Sequence, residues 1–286
     1  VIRHDPARRG LLYAGTERGV WVSFNDGANW QSLQRNLPPV PVHDLVVKEG
    51  DLVAGTHGRS FWILDDLSAM REVTPEITRK SVHLFQPRDA YRIQWGGGGR
   101  GAQAAGASRP GQNPASGVMV YYHITRDSQP VTIEFLAPDG GVIKMYENDG
   151  KPVPAPTPGQ GGSGGGFGGG AAARPGNALG LNSFNWNLRY PDAVGFPGMI
   201  MWAGGLTGPV APAGTYSVRV TVGTEAPQTA RFNLLNDPRS DATAADLQAQ
   251  FDFLIQVRDK TSEANNAVRT IRNIRAQIEE RVNAAP

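Results

Sequence analysis

A five-residue segment of this chain occurs twice, at an interval of forty residues. Residues 12–16, with the sequence LYAGT, return as residues 52–56, with the sequence LVAGT, and a glycine and an aromatic-rich stretch follow each copy. A repeat of about 40 to 50 residues built from short strands is typical of the blades of a β-propeller. Blades bury their faces only against neighbouring blades. The period therefore predicts that residues 1–67 fold as blades at the end of a β-propeller.

Strand and turn signals divide this first segment into short pieces. We predict strands at residues 11–14, 19–24, 30–33, 42–48, 51–55 and 60–64. These strands make fewer than two complete blades, whereas a propeller ring has about four to eight. We therefore expect the sequence to be a fragment of a longer polypeptide, in which the upstream chain or other subunits complete the ring. The first segment is not expected to stay folded alone.

The sequence SFNDGANW lies between the two copies, from Ser23 to Trp30. Gly27 permits a tight turn with positive φ, the side chains of Asn25 and Asp26 can bond the backbone of the turn, and Trp30 is expected to fill the blade core. The pattern resembles the Asp-box, or bacterial neuraminidase repeat, of sialidases, sortilin-like receptors and related bacterial propellers. The family usually has aspartate at the position of Asn25.

Residues 1–67 also resemble the closing part of a sortilin-like, glycosyl-hydrolase-like bacterial propeller through the sequence THGRSFWILDD at 56–66. The resemblance implies a bacterial protein that is extracellular or periplasmic. Families with this repeat include sialidases and xyloglucan-active enzymes, but also receptors and assembly factors without hydrolase activity. Because Asp-boxes lie away from the catalytic centre, the resemblance implies a folding role for this motif and carries over no catalytic residue.

Composition changes after the repeat ends. Residues 68–117 are predicted to form a connector that ends in a glycine-rich linker. The 36 glycines and 22 prolines of the chain concentrate at residues 96–117 and 150–180. Such segments cannot bury enough apolar area to offset the ordering of their backbone, so we expect them to be extended or mobile.

Alternation of apolar and polar residues returns in the region 118–236. Strands are predicted at residues 118–124, 131–136, 142–146, 184–188, 215–222 and 229–235. Six or seven strands separated by turn signals favour an immunoglobulin-like or fibronectin-like β-sandwich, with a glycine- and proline-rich insertion at 150–180. The sequence PAGTYSV at 212–218 resembles the penultimate strand of bacterial immunoglobulin-like modules.

The last region, 237–286, is predicted to be an α-helical tail or hairpin. Thr243 is a suitable N-cap, and no glycine or proline interrupts the pattern until Pro286. Apolar residues recur at helical spacing in two stripes, which either one long helix or two helices would satisfy. The apolar side needs a partner, which is either the sandwich or a helix beyond residue 286.

Composition excludes several classes of function. With 28 Lys and Arg against 26 Asp and Glu, the formal charge is +2, so no nucleic-acid partner is implied. The absence of cysteine excludes disulfides, a thiolate nucleophile and a cysteine zinc site. No run of about 18 apolar residues predicts a membrane span, and no signal-peptide pattern is present.

The sequence predicts no catalytic, cofactor-binding or metal-ligating constellation. The five histidines are scattered without the spacing of metal ligands. His57 and Arg59 occupy a turn between predicted blade strands, and with Trp62 they are candidate ligand contacts. A tight turn with a solvated arginine is the favoured interpretation of that segment.

Two further groups of side chains are of types that can take part in catalysis or sugar binding. Asp65 and Asp66 are adjacent, so in a strand they point to opposite faces, and capping of the strand end is favoured over an acid/base pair. Some aromatic side chains could stack on sugar rings, although a place in the core is favoured for them: Trp186, Trp202, Tyr121 and Tyr122.

These features favour a non-catalytic binding or structural region of a secreted or periplasmic bacterial Asp-box propeller protein, which mediates protein or glycan interaction or assembly. The alternative is an accessory C-terminal part of a glycoside hydrolase, sialidase-like or xyloglucanase-like, whose catalytic residues lie upstream. Whether the full protein is an enzyme stays open at this point.

Overall fold

The computed structural model of the chain describes residues 1–93, 114–151, 173–201 and 204–284. The described chain is mainly β, with several antiparallel sheets and a C-terminal helix, as the sequence predicts at this coarse level. The predicted glycine-rich linker at 96–117 and the insertion at 150–180 fall largely outside the described residues, and so does Trp202.

The first two sheets are antiparallel meanders, in which each strand pairs with the next along the chain. Sheet one contains four strands: β1 (Ile2–His4), β2 (Leu12–Thr16), β3 (Gly19–Ser23) and β4 (Gln31–Ser32). Sheet two contains three: β5 (Val42–Lys48), β6 (Asp51–Thr56) and β7 (Phe61–Leu64). The two copies of the sequence repeat are thus the second strand of each meander, β2 and β6.

The two meanders pack against each other around one core, and we call them together the meander pair. Alternation places every second side chain of β2 and β6 in this core, and β3 and β5 also contribute buried residues to it. Tyr13, Val20 and Val22 of sheet one and Leu45 and Leu52 of sheet two are buried there. Residues of the loop from β4 to β5 and Leu67 also contribute to the core.

Two short helices and two short strands link the meander pair to the rest of the chain. The helices are α1 (Ser68–Glu72) and α2 (Pro75–Arg79), and α2 is capped by the Thr74 hydroxyl, which accepts from the backbone N–H of Ile77. The strands are β8 (Val82–Leu84) and β9 (Ala90–Tyr91). Both join sheets of the next region, so part of the predicted connector belongs to that region.

Two sheets form the second region, which we call the sandwich. One sheet has the strand order β13-β10-β8, with β10 (Val118–Ile124) and β13 (Gly180–Trp186). The other has the order β12-β11-β14-β15-β9, and its remaining strands are β11 (Val131–Leu136), β12 (Val142–Asn148), β14 (Gly214–Val222) and β15 (Gln228–Leu235). All pairs are antiparallel except β15 with β9.

The sandwich encloses one large apolar core. Its centre is Trp186, whose ring stacks on Phe135 with centroids 4.7 Å apart and whose Nε1 donates to the carbonyl of Arg189 at 3.2 Å. Tyr122, Tyr216 and Phe232 are also buried in this core. Both sheets contribute to it through the alternating inward positions of β10, β11 and β14.

The chain ends in one helix, α3 (Ala244–Ala284), and not in a hairpin. The Thr243 hydroxyl accepts from the N–H of Asp246, and the Asp246 carboxylate accepts from the N–H of Thr243, which is a reciprocal cap. Tyr190 of the sandwich packs edge to face on Phe251 at 4.7 Å. No described residue of α3 is fully buried.

Candidate functional site

The Asp-box segment forms a compact turn after β3. The Ser23 hydroxyl accepts from the N–H of Gly27 at 2.9 Å, and the Asn25 side-chain oxygen accepts from the N–H of Asn29 at 2.9 Å. Asp26 has a φ of 58° and Gly27 a φ of 88°. The backbone N–H of Asp26 also donates to the carbonyl of Gly10 at 2.9 Å. Side chains of the motif therefore accept hydrogen bonds from backbone N–H groups of the same turn, whereas the Asp26 N–H donates to a residue outside the motif.

Trp30 does not fill the core of the meander pair. It is half-buried, and a Cβ placed on Gly27 would lie 3.7 Å from its Cζ2. The core is occupied instead by Tyr13, Val20 and Val22, whose strands alternate into it. Trp30 follows a turn at the end of β3, so its ring covers that turn.

A buried carboxylate that the sequence analysis missed ties the meander pair to α1. Asp5 receives the guanidinium Nε of Arg71 at 3.0 Å, the hydroxyl of Tyr13 at 3.1 Å and the backbone N–H groups of Ala7 and Arg8. Burial, followed by the neighbouring Asp5 charge, raises the pKa of Tyr13 well above its usual range. The turn signal Asp-Pro at residues 5–6 was the available clue.

The three candidate ligand contacts of the second meander have different environments in the structure. His57 and Arg59 are exposed, and the ring of His57 stacks on His43 with centroids 5.1 Å apart. Trp62 is half-buried, packs on the core of the meander pair and donates its Nε1 to the carbonyl of Arg59 at 2.9 Å. The segment has the geometry of a tight turn anchored by Trp62.

The most informative surfaces are the two outer faces of the meander pair. In sheet one, Tyr13 lies opposite Val22 and Gly15 opposite Val20, and this face packs on sheet two. The repeat makes these positions equivalent to two pairs on β6 and β7, in which Val53 lies opposite Ile63 and Gly55 opposite Phe61.

This equivalent face of sheet two has no sheet packed on it among the described residues. Phe61 is 78% exposed and Ile63 is 57% exposed. The opposite face of sheet two, which includes Leu52 and Ala54, is buried against sheet one. Sheet one therefore packs through the face that contains Tyr13, whereas sheet two packs through the face that contains Leu52, and these two faces are not equivalent in the repeat.

The outer face of sheet one completes the pattern. By the repeat and the strand register, Leu12, Ala14 and Trp21 are equivalent to Leu52, Ala54 and Trp62. Trp21 is 38% exposed, and Leu12 and Ala14 are only half-buried. The two outer faces are thus copies of the two faces that already pack together inside the meander pair.

The equivalent residues Gly15 and Gly55 also differ in whether a neighbouring sheet packs on them. A Cβ on Gly15 would lie 2.8 Å from a methyl group of Val42 in sheet two, so the sheets approach each other through a residue without a side chain. A Cβ on Gly55 would meet nothing closer than the Phe61 ring at 3.6 Å. The position that a neighbouring sheet fills at Gly15 is open at Gly55.

No reactive constellation is assembled among the described residues. In that part of the chain, no group of three or more histidine, aspartate or glutamate side chains could hold a metal ion. Asp65 and Asp66 lie just after the end of β7, and Asp66 accepts the N–H of Ser68 at 3.0 Å. Partial desolvation, with the nearby Asp51 and Asp66 charges, raises the pKa of Asp65, but Asp66 is occupied by its backbone contact.

The aromatic residues considered for sugar stacking lie mostly inside the sandwich. Trp186 and Tyr122 are completely buried, and burial raises the pKa of Tyr122 well above its usual range. Tyr121 is half-buried, and its pKa is raised to about 12, mainly by burial. Trp186 and Tyr122 are therefore core residues and are not available to a sugar.

Comparisons with protein-family models, curated proteins and solved structures find no match for this chain. Within the described residues, none of the helices combines the length and apolar character that a bilayer crossing requires. The geometry of the outer faces is therefore the main guide to what the molecule does.

Proposed function

We propose that this chain is a non-catalytic binding and structural region of a secreted or periplasmic bacterial Asp-box propeller protein. In this proposal the meander pair supplies two neighbouring blades, and the sandwich and α3 serve interaction with a protein or glycan partner, or assembly. The observation that carries the proposal is the equivalence of the exposed outer faces of the meander pair to its buried inner faces.

A head-to-tail interface explains why both outer faces are apolar. When unlike faces of successive units pack together, the unit at each end keeps one face free, and repetition of the same rotation gives a ring or a filament. The exposed face with Phe61 and Ile63 then receives a further sheet, and so does the face with Trp21. The proposed occupants are the other blades of the propeller, from the upstream chain or from other subunits.

Two local details support the finer identities within this proposal. The bonds of Ser23 and Asn25 to the backbone of their own turn are what an Asp-box would provide. In the sandwich, the hydroxyl of buried Tyr216 donates to the carbonyl of Pro212 at 2.8 Å. A tyrosine bonded to the backbone a few residues upstream is a hallmark of immunoglobulin-like domains, so we propose that family of folds for the sandwich.

Sedimentation velocity of the whole chain over a range of concentrations tests the role of the outer faces. Each copy carries both unlike faces, so copies are expected to associate head to tail as concentration rises. The double variant Phe61→Lys and Ile63→Lys is expected to shift the association to at least about tenfold higher concentration, because two charges are placed in an apolar contact. Both side chains are exposed, so folding should be retained.

The matched control places the same two charges on the sandwich, at Val142 and Leu181, which are 50% and 49% exposed. Association should be unchanged in this control. A parent chain that remains monomeric at every concentration, or equal loss in both double variants, contradicts the role of the faces. Hydrolysis of any polymer in a glycan panel by the parent chain contradicts the non-catalytic role and supports the glycoside hydrolase alternative.

A further inference from the structure

A cleft of about 590 Å³ lies between the sandwich and α3. One wall is the segment 205–210 of the sandwich, and the other is formed by one side of α3. On that side, Leu254 and Val257 are apolar and yet 39% and 44% exposed, with the half-buried Leu247 two turns before Leu254. The volume lies within the range of small-molecule sites, about 300 to 1,000 Å³.

Two arginines from separate parts of the sandwich line this cleft. The Nε of Arg92 donates to the carbonyl of Ala211 at 3.1 Å, and Nη1 of Arg189 donates to the carbonyl of Gly208 at 2.8 Å. These neutral carbonyls hold each guanidinium in place and use only some of its five N–H donors. In the described part of the chain, neither arginine forms an ion pair with a carboxylate.

The remaining charges around the cleft are already paired. Asp237 lines the cleft, but its carboxylate is bound by Arg239 at 2.6 Å. Arg258 lines it too and is bound to Asp259 at 2.6 Å. Among the described residues, the charges of Arg92 and Arg189 therefore have no carboxylate paired with them.

Two like charges that share one partly buried cleft repel each other. Partial burial, together with the charge of Arg189, lowers the pKa of Arg92. Two like charges in a partly desolvated cleft are stabilised when an anion enters, and a guanidinium can bind a carboxylate through two parallel hydrogen bonds. The apolar side of α3 would suit an apolar group attached to that anion.

We propose that the cleft between the sandwich and α3 binds an organic carboxylate, with the carboxylate at Arg92 and Arg189 and an apolar chain along Leu254 and Val257. This site is independent of the meander pair and does not rest on the proposed function. An inorganic anion would leave the apolar wall unused, and a neutral apolar molecule would leave the arginines without a counter-charge.

Isothermal titration calorimetry of the whole chain with octanoate tests this site. Octanamide serves as the neutral probe of the same length, and acetate as the same charge without the chain. Octanoate should bind at one site and at least about tenfold more tightly than either control probe. The double variant Arg92→Gln and Arg189→Gln should weaken octanoate binding by about tenfold or more, because it removes both hydrogen-bonded charges.

The charge-matched control is the double variant Arg18→Gln and Arg269→Gln, both exposed and away from the cleft, which should bind octanoate like the parent. Leu254→Asp provides a second variant with an exposed position, and its negative charge should also weaken binding about tenfold. If Arg92→Gln with Arg189→Gln fails to fold, Leu254→Asp decides. Absence of octanoate binding, equal binding of octanamide or acetate, or unchanged binding in Leu254→Asp or the folded Arg92 and Arg189 double variant overturns the proposal.

Discussion

The meander pair and the sandwich are both built mainly from antiparallel strands, but the outward side chains of the strands compared below differ in polarity. On β14 of the sandwich the outward side chains are polar, with Ser217, Arg219 and Thr221 alternating with buried valines. On β7 of the meander pair the outward side chains are Phe61 and Ile63. The sandwich therefore has a core that its own sheets close, whereas the meander pair repeats its packing faces on the outside.

The sharpest test of this contrast compares one aromatic from each region. Trp186→Ala removes a fully buried ring from the sandwich core and should lower the free energy of unfolding by about 3–5 kcal/mol. Phe61→Ala removes a ring that is 78% exposed and should change it by less than about 0.5 kcal/mol. Denaturation in guanidinium chloride, followed by hydrogen exchange for each region, measures both. Equal losses would show that Phe61 is part of a closed core.

Within the meander pair, the largest effect is expected at Asp5. Asp5→Ala leaves Arg71 and two backbone N–H groups without their acceptor, and should destabilise the meander pair by about 3 kcal/mol. Asp44→Ala removes an exposed ion pair with Arg3 and should cost less than about 1 kcal/mol. Hydrogen exchange of β2 and β3 reports the difference. Similar protection in the two variants would mean that the bonds of Asp5 to Arg71 and Tyr13 do not stabilise the meander pair.

A smaller effect is expected on the outer face of the sandwich, where Glu134 and Arg219 are cross-strand partners joined at 2.6 and 2.8 Å. The bonds from Arg219 hold the pKa of Glu134 below its usual value. The pair therefore stabilises the folded chain at pH values above about 4.3, which is the pKa of glutamate in an unfolded chain. This stabilisation is lost as the pH falls through the lower pKa that Glu134 has in the folded chain. Glu134→Gln should remove about 1 kcal/mol or less at pH 7, because Arg219 is partly exposed.

Urea denaturation at pH 7 and at pH 3 separates this effect from a general loss of packing. The difference between the parent and Glu134→Gln should narrow at the lower pH, since Glu134 becomes protonated in the parent too. Glu263→Gln, which breaks a single exposed contact with Lys260, is the control and should have a smaller effect. A constant difference between the parent and Glu134→Gln at both pH values contradicts the assigned cause.

Local patterns in the sequence predicted the elements that are long enough to show a period. The repeat located β2 and β6, and alternation located the strands from β10 to β15. The helical period was satisfied by one helix or two, and the structure shows one. The sequence also has a strand-like pattern at residues 81–85, where β8 lies, but β9 has only two residues, too few to reveal alternation, and its pairing partner is distant in sequence.

Those patterns could not predict contacts between residues that are distant in sequence. Asp5 and Arg71 meet across 66 residues, and Arg92 and Arg189 meet in a cleft only because two sheets and a helix bring them there. A periodic pattern reports which side of an element is apolar, but it does not say which element covers that side. For the same reason, the exposed faces of the meander pair became visible only once its register was known.

The length of the single helix α3 has a consequence for its local stability. Its 41 residues correspond to a rod about 60 Å long. Contacts with the sandwich come from Gln250, which accepts from Arg92 at 3.4 Å, to Arg272, which donates to the carbonyl of Pro197 at 2.8 Å. The 12 residues of α3 after Arg272 extend about 18 Å beyond the last of these contacts, and every one of them is exposed. This end of α3 therefore projects from the sandwich as a free apolar-and-charged segment of helix, in which local opening of the helix is expected to begin.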